Sequence, residues 1–202
     1  LQQRLTQAGL RPRSLGVDVT NYIMLSYGQP LHAYDADKLK GNISVKAATG
    51  GETFTGIGDV HITLQPNDIM ICDDSGMIGL GGVLGGESTA ISDKTTRIFL
   101  EAAWFDRNQI ATTGQSHNII TDARYRFERG IDPAITATAN QAAAALLVEY
   151  GGAKVSEILT VGSLEKETAT IVYAPTFCST FGGLDVSENI QKDILAKLGF
   201  TG

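Results

Sequence analysis

Long apolar runs are missing from this chain. None approaches the roughly 18 residues that a membrane-crossing helix needs, and the first ten residues are polar, without the apolar stretch of a secretion signal. Cysteine is scarce. Cys72 and Cys178 stand far apart in hydrophobic settings, which reads as reduced, buried thiols in an intracellular, cytoplasmic protein and not as a disulfide framework. Histidine is scarce too: the 3 histidines are isolated, with no Cys-x-x-Cys or His-Glu-x-x-His pairing, so no metal site is expected. Basic charge falls short of acidic, 16 against 22, for a net charge of −6. That excludes a broad nucleic-acid-coating surface and leaves room for a local basic patch; no DNA partner and no membrane are expected. Repeats and low-complexity segments are absent as well.

The usual nucleophiles are also lacking. Ser88 follows Gly86-Glu87, which is not a Gly-x-Ser-x-Gly elbow. Cys72 precedes two aspartates, which disfavour its thiolate. Any hydrolysis by this chain has to work through a positioned water and backbone donors.

Glycine, by contrast, is concentrated in one place. Gly79-Leu80-Gly81-Gly82-Val83-Leu84-Gly85-Gly86-Glu87 lies between the apolar runs Ile69 to Cys72 and Ile98 to Leu100. Such a run is either a tight crossing within a sheet or a cradle for a ligand. It is not a P-loop, because Glu87-Ser88 stands where Lys-Ser/Thr is required. A dinucleotide fingerprint would need a helix opening at the glycines, and residues 89–94 read as a loop.

Around this stretch the pattern runs from strands to helices. Residues 1–8 read as a short helix capped by Gly9. Asp18 or Thr20 is expected to cap a second helix with Tyr22, Ile23 and Leu25 on its apolar face, broken by Gly28-Gln29-Pro30. Residues 31–35 are extended. Alternation predicts strands at 43–47 and 60–64, and further strands follow at 69–72, 77–80 and 97–103. Asp106 caps a helix with Gly114 beyond its end, and Thr121 to Gly130 forms another. Asp132-Pro133 opens an alanine-rich helix that Gly151 stops, with a strand expected at 155–161. Composition changes near Leu164 to Thr168, which reads as a linker. Beyond it come a strand at 171–173 and a helix capped by Ser187, too little apolar material for a core of their own. The order implies an α+β fold with a central mixed or antiparallel sheet flanked by helices.

Four polar residues invite a chemical reading: Thr20, Asn21, His32 and Glu101. Thr20 and Asn21 serve equally well as helix caps. His32 follows a rigid break that could fix its direction; a lone histidine is also commonly structural. Glu101 ends a very apolar strand, where a carboxylate needs a partner. That partner is either an arginine, Arg97 or one of the 124–129 cluster, or a ligand. Arg124, Arg126 and Arg129 alternate with Tyr125 and Phe127. This pattern suits phosphate and base contact, and equally a core aromatic with arginines tying loops together.

Five segments occur in one order and spacing: Val17 to Met24, Gly28 to Asp35, Gly79 to Glu87, Leu100 to Asp106 and Thr121 to Pro133. Together they resemble the paired B3/B4 editing module of the beta chain of bacterial phenylalanyl-tRNA synthetase. The resemblance covers residues 1–163; residues 164–202 look like a linker and the truncated start of the B5 module. It implies hydrolysis of tyrosine wrongly joined to tRNA(Phe), and partners that include the tRNA(Phe) acceptor end, the synthetase alpha chain and tyrosine as ligand. No cofactor is implied for this segment; ATP and magnesium belong to the parent enzyme. By position, Glu101 corresponds to the residue that recognises the tyrosine hydroxyl, and Gly82, with Gly81 beside it, to the pocket wall. Thr20, Asn21 and His32 correspond to residues near the ester and the attacking water. Arg124, Arg126 and Arg129 are candidate tRNA contacts. A bulky residue at Gly82 is expected to block the pocket and leave the fold intact. Departures from the family pattern occur at Ser14-Leu15-Gly16, Gly81, Leu84, the loop after Thr53 and His117 to Ile120. The competing reading is a non-catalytic tRNA-binding or structural module; a small-molecule-binding protein without tRNA is a further rival.

Overall fold

A computed structural model describes residues 1–163 and 169–201. The chain divides into two units, Leu1–Leu159 and Thr160–Gly202. The first holds helices α1 (Gln2–Gln7), α2 (Leu15–Tyr27), α3 (Arg107–Ser116), α4 (Asp122–Phe127) and α5 (Ile135–Gly151). Its strands are β1 (Leu31–Asp35), β2 (Ser44–Ala47), β3 (Thr53–Gly56), β4 (Val60–Thr63), β5 (Ile69–Asp73), β6 (Gly76–Leu80), β7 (Leu84–Gly85) and β8 (Ile98–Ala102). This is an α+β fold, and every strand pairing among the described residues is antiparallel. The sheet expected as a single central element is divided. One sheet runs β2-β5-β6-β7, while β1 pairs with β8 and β3 with β4. Isolated bridges, Tyr34 to Ala90 and Gly56 to Gly86, stitch the pieces together.

Two hydrophobic clusters set this frame. The larger joins Phe54, Ile62, Ile71, Ile78, Leu80 and Val83 to Phe105, Ile110 and Phe127, so that α3 and α4 cover the glycine hairpin. The smaller packs Val19 and Ile23 of α2 on Ala139 and Ala143 of α5. Alanine on α5 lets the helices approach closely, and Asn140 Nδ2 of α5 donates to the Leu100 carbonyl of β8.

Several local expectations change. Helix α2 starts earlier than Asp18 or Thr20, after Ser14 in extended conformation. Asp18 is instead buried in the first turn, accepting from the Arg13 amide at 2.8 Å. Thr20 turns its hydroxyl onto the Val17 carbonyl at 2.8 Å. Leu25 is exposed, and Val19, Ile23 and Met24 form the buried face. Gly114 lies inside α3 and not beyond it, and the Arg124 side chain packs where its Cβ would stand. The hairpin β3–β4 includes residues that carried no strand expectation. At the end of α5, Gly152 takes the left-handed cap position expected of Gly151. No strand forms at 155–161 or 171–173, where the side chains are exposed.

The second unit contains α6 (Phe177–Thr180) and α7 (Glu188–Lys197), the latter starting after Ser187. Gln191 of α7 is its buried polar anchor, bonded to Tyr173 Oη and to the carbonyls of Val186 and Pro175. The linker expected at 164–168 lies outside the described residues.

Candidate functional site

The site is built on the β1–β8 pair. Gln29, fully buried, donates to the carbonyls of Pro30 and Ala103 and so pins the start of β1 to the end of β8. In the resulting register His32 stands opposite Glu101 and Tyr34 opposite Phe99. Residues two apart on a strand, and those directly across from them, share a face. His32, Tyr34 and Glu101 therefore share a face, and all three line one cavity.

That cavity encloses about 80 Å³. Its far wall is the glycine stretch, which is the hairpin β6–β7: Leu80 pairs with Leu84, and Gly81-Gly82-Val83 form the turn. Phe105, Ala123 and Phe127 close it from the helical side. Both Gly81 and Gly82 lie on its lining. Gly82 has a φ of +68°, and a Cβ there would come within 2.8 Å of Ile110 Cδ1 and 3.0 Å of Phe105 Cδ2. A bulky residue at Gly82 thus strains the turn and collides with the core, contrary to the expectation that the fold would be left intact. Gly85 has a different role. A Cβ at that position would lie 2.2 Å from Cε1 of His32, so this glycine leaves the imidazole room against the hairpin.

His32 and Glu101 are tuned in opposite senses. Burial pushes the His32 imidazole down to about 4, so it is neutral at pH 7. Its ring meets Tyr34 edge-on, with centroids 4.3 Å apart, and its buried Nε2 has no protein partner among the described residues. Burial raises the Glu101 carboxyl, partly opposed by the hydrogen bond that Tyr34 Oη donates to its Oε2 at 2.6 Å. The arginine partner weighed for Glu101 is not there. Arg97 pairs with Asp37, and the cavity lining contains no lysine or arginine.

A second, larger cavity of about 470 Å³ adjoins the first. Thr20 and Asn21 line it together with Arg13, Val17 and the 90–93 loop, and Leu31 and His32 border both cavities. The candidate residues therefore divide into two groups: Glu101, Gly81 and Gly82 at the small cavity, Thr20 and Asn21 at the large one, with His32 between them. Sequence reasoning did not single out Tyr34, Gly85, Phe105, Ala123 or Phe127 for this site. Tyr34 carried the available signal, two residues after His32 on a strand and so on its face.

The arginine cluster lies outside both linings. Arg124 is drawn into the fold: Nε bonds Glu128, and Nη1 bonds the carbonyls of Gly114 and Ile119. Arg126 bonds the Asp122 carboxylate and carbonyl. Arg129 stacks over the Tyr125 ring at 3.6 Å and is the most exposed of the three. Thus Arg124 ties the α3–α4 connection and is not free for a phosphate. No cluster of three or more His, Cys, Asp or Glu that could hold a metal occurs among the described residues, and no described helix is long and apolar enough to cross a membrane.

The B3/4 domain family model matches residues 1–152, which contain every element of this site. The chain belongs to the B3/4 domain family. It is 42% identical to the phenylalanine–tRNA ligase beta subunit of Novosphingobium aromaticivorans over 200 residues, covering 99% of this chain and 25% of that protein. The corresponding subunit of Ruegeria pomeroyi is 38% identical, with 99% and 25% covered. That of Cutibacterium acnes is 49% identical over 164 residues, with 81% and 20% covered. The chain thus spans about a quarter of the length of the first two of these curated relatives.

Proposed function

We propose that this B3/4 domain is the editing module of a phenylalanine–tRNA ligase beta subunit and hydrolyses Tyr-tRNA(Phe) at the aminoacyl ester. The observation that carries the reading is the placement of His32 between the cavity of Glu101 and that of Thr20 and Asn21. A tyrosyl ring directed at Glu101 would bring the ester past His32, with the larger cavity free for the sugar that bears it. The small cavity is about half the ~150 Å³ that admits a benzene ring, so a bound ring must also use the mouth or shift a wall.

The chemistry follows from the difference between the two amino acids. An apolar pocket rejects an added hydroxyl weakly, whereas a site that hydrogen-bonds the hydroxyl rejects the analogue lacking it strongly. Glu101 supplies that bond. At neutral pH His32 is uncharged and a weak base, which suits holding and orienting a water by hydrogen bonds better than removing its proton outright. Asn21 is assigned to positioning the ester, and Thr20, whose proton is given to Val17, can only accept there. Gly81 and Gly82 act as wall.

In this reading residues 1–163 form the editing module and 164–202 a linker with the beginning of the next domain. The parent is a cytoplasmic ligase that uses ATP and magnesium elsewhere, working with its alpha chain and tRNA(Phe). Arg126 and Arg129 remain candidates for tRNA contact. The test is deacylation by the full-length synthetase: faster hydrolysis of Tyr-tRNA(Phe) than of Phe-tRNA(Phe) is expected. Equal rates would sink the editing reading in favour of a structural, non-catalytic module.

A further inference from the structure

A half-buried carboxylate needs donors, and Glu101 has one among the described residues: the hydroxyl of Tyr34, 2.6 Å from Oε2. The arrangement is specific. Tyr34 is buried and its ring is braced edge-on against His32. Phenylalanine at position 34 would fill the same space and leave Glu101 with no protein donor. No cation lines the cavity to take its place.

We infer that Tyr34 is a positioning residue for substrate recognition: its hydroxyl holds Oε2 of Glu101, fixing the carboxylate so that Oε1 is left to accept the phenolic hydroxyl of the tyrosyl ester. The inference rests on the editing reading above. One carboxylate then serves two phenols, one from the protein and one from the substrate. Held by one oxygen, Glu101 presents a single acceptor in one direction, which a freely rotating side chain would not do. Tyr34 also helps keep Glu101 ionised, and only the ionised form accepts at both oxygens. The other titratable group on the lining is His32, neutral at working pH. Helix α5, which packs on β8, carries Glu149 and Tyr150 at its C-terminal end and no other titratable residue, and α2, which packs on β1, carries Asp18, Tyr22 and Tyr27.

The experiment uses the full-length synthetase with Tyr34→Phe, Glu101→Gln and the double variant. For each, kcat/KM is measured on Tyr-tRNA(Phe) and on Phe-tRNA(Phe) between pH 5 and 8. Tyr34→Phe is expected to lower the Tyr/Phe ratio about tenfold, the size of one hydrogen bond to a charged group. The loss should fall on the tyrosyl ester and leave the phenylalanyl ester unchanged. Losing a donor to the carboxylate raises its pKa, so the acidic limb of selectivity should move to higher pH. In the Glu101→Gln background, Tyr34→Phe should change the ratio little, since the two act as one unit. The ratio does not depend on the amount of folded enzyme, so a lower yield leaves the result readable. A wild-type ratio and an unmoved acidic limb in Tyr34→Phe would overturn the role of Tyr34, even if the variant melts earlier. If Glu101→Gln also left a selective ratio unchanged, Glu101 would not be the recognising residue; the editing reading itself would fail only if the wild type hydrolysed both esters equally.

Discussion

His32 is the residue at which burial and chemistry meet. Its imidazole is neutral because it is desolvated, so its contribution to stability depends on pH. Its folded pKa, about 4, lies below the unfolded value near 6.5. Between those values the unfolded chain binds more protons, and stability is lost as pH falls through that window. The full effect is on the order of 3–4 kcal/mol at about 1.4 kcal/mol per unit. Glu101 acts in the opposite sense, its raised carboxyl favouring the folded state at the acidic end, so the informative quantity is a difference. Unfolding in denaturant at pH 7 and pH 4.5 should show wild type losing more stability than His32→Gln. Equal losses would contradict a desolvated imidazole. The glycines beside it behave differently from each other. Gly82→Leu should destabilise the domain by about 1–3 kcal/mol through its positive φ and the clash with Ile110. Gly85→Ala should cost hydrolysis first, by displacing His32. Melting curves alongside deacylation rates separate the two.

At the scale of elements, what could be read from the sequence followed local chemistry. Asp106 caps α3 by accepting from the Gln109 amide, and Thr121 caps α4 by accepting from the Arg124 amide. Apolar runs around Asp73 to Gly76 gave the β5–β6 hairpin. What could not be read depends on partners distant in sequence. Val155 to Val161 has strand-forming residues, but they are exposed and unpaired with any strand among the described residues. Asp18 resembles a cap and is claimed by the Arg13 amide. At the site, the motif residues were visible, but not the tie between Tyr34 and Glu101, which the β1–β8 register brings together across 67 positions. The arginine cluster shows the same limit: its alternation with aromatics suits both nucleic-acid contact and loop anchoring, and Arg124 anchors. Arg124→Ala removes a charged donor from the carbonyls of Gly114 and Ile119. It should cost about 2–3 kcal/mol of stability, measured by denaturant unfolding. A variant as stable as wild type would contradict the anchoring role.

For the molecule as a whole, both clusters and both cavities lie within Leu1–Leu159. Residues 1–159 expressed alone are therefore expected to unfold in one cooperative denaturant transition, with a slope appropriate to a chain of that size. A broad, non-cooperative transition would contradict a self-contained core. The central claim concerns what enters the small cavity, and the most direct measurement is a structure of this chain with tyrosine bound. The account predicts the phenolic oxygen within hydrogen-bond reach of Glu101 Oε1, the ring against Gly81 and Gly82, and the carboxyl end towards His32 and Asn21. Tyrosine seated elsewhere, or with its ring pointing away from Glu101, would contradict it.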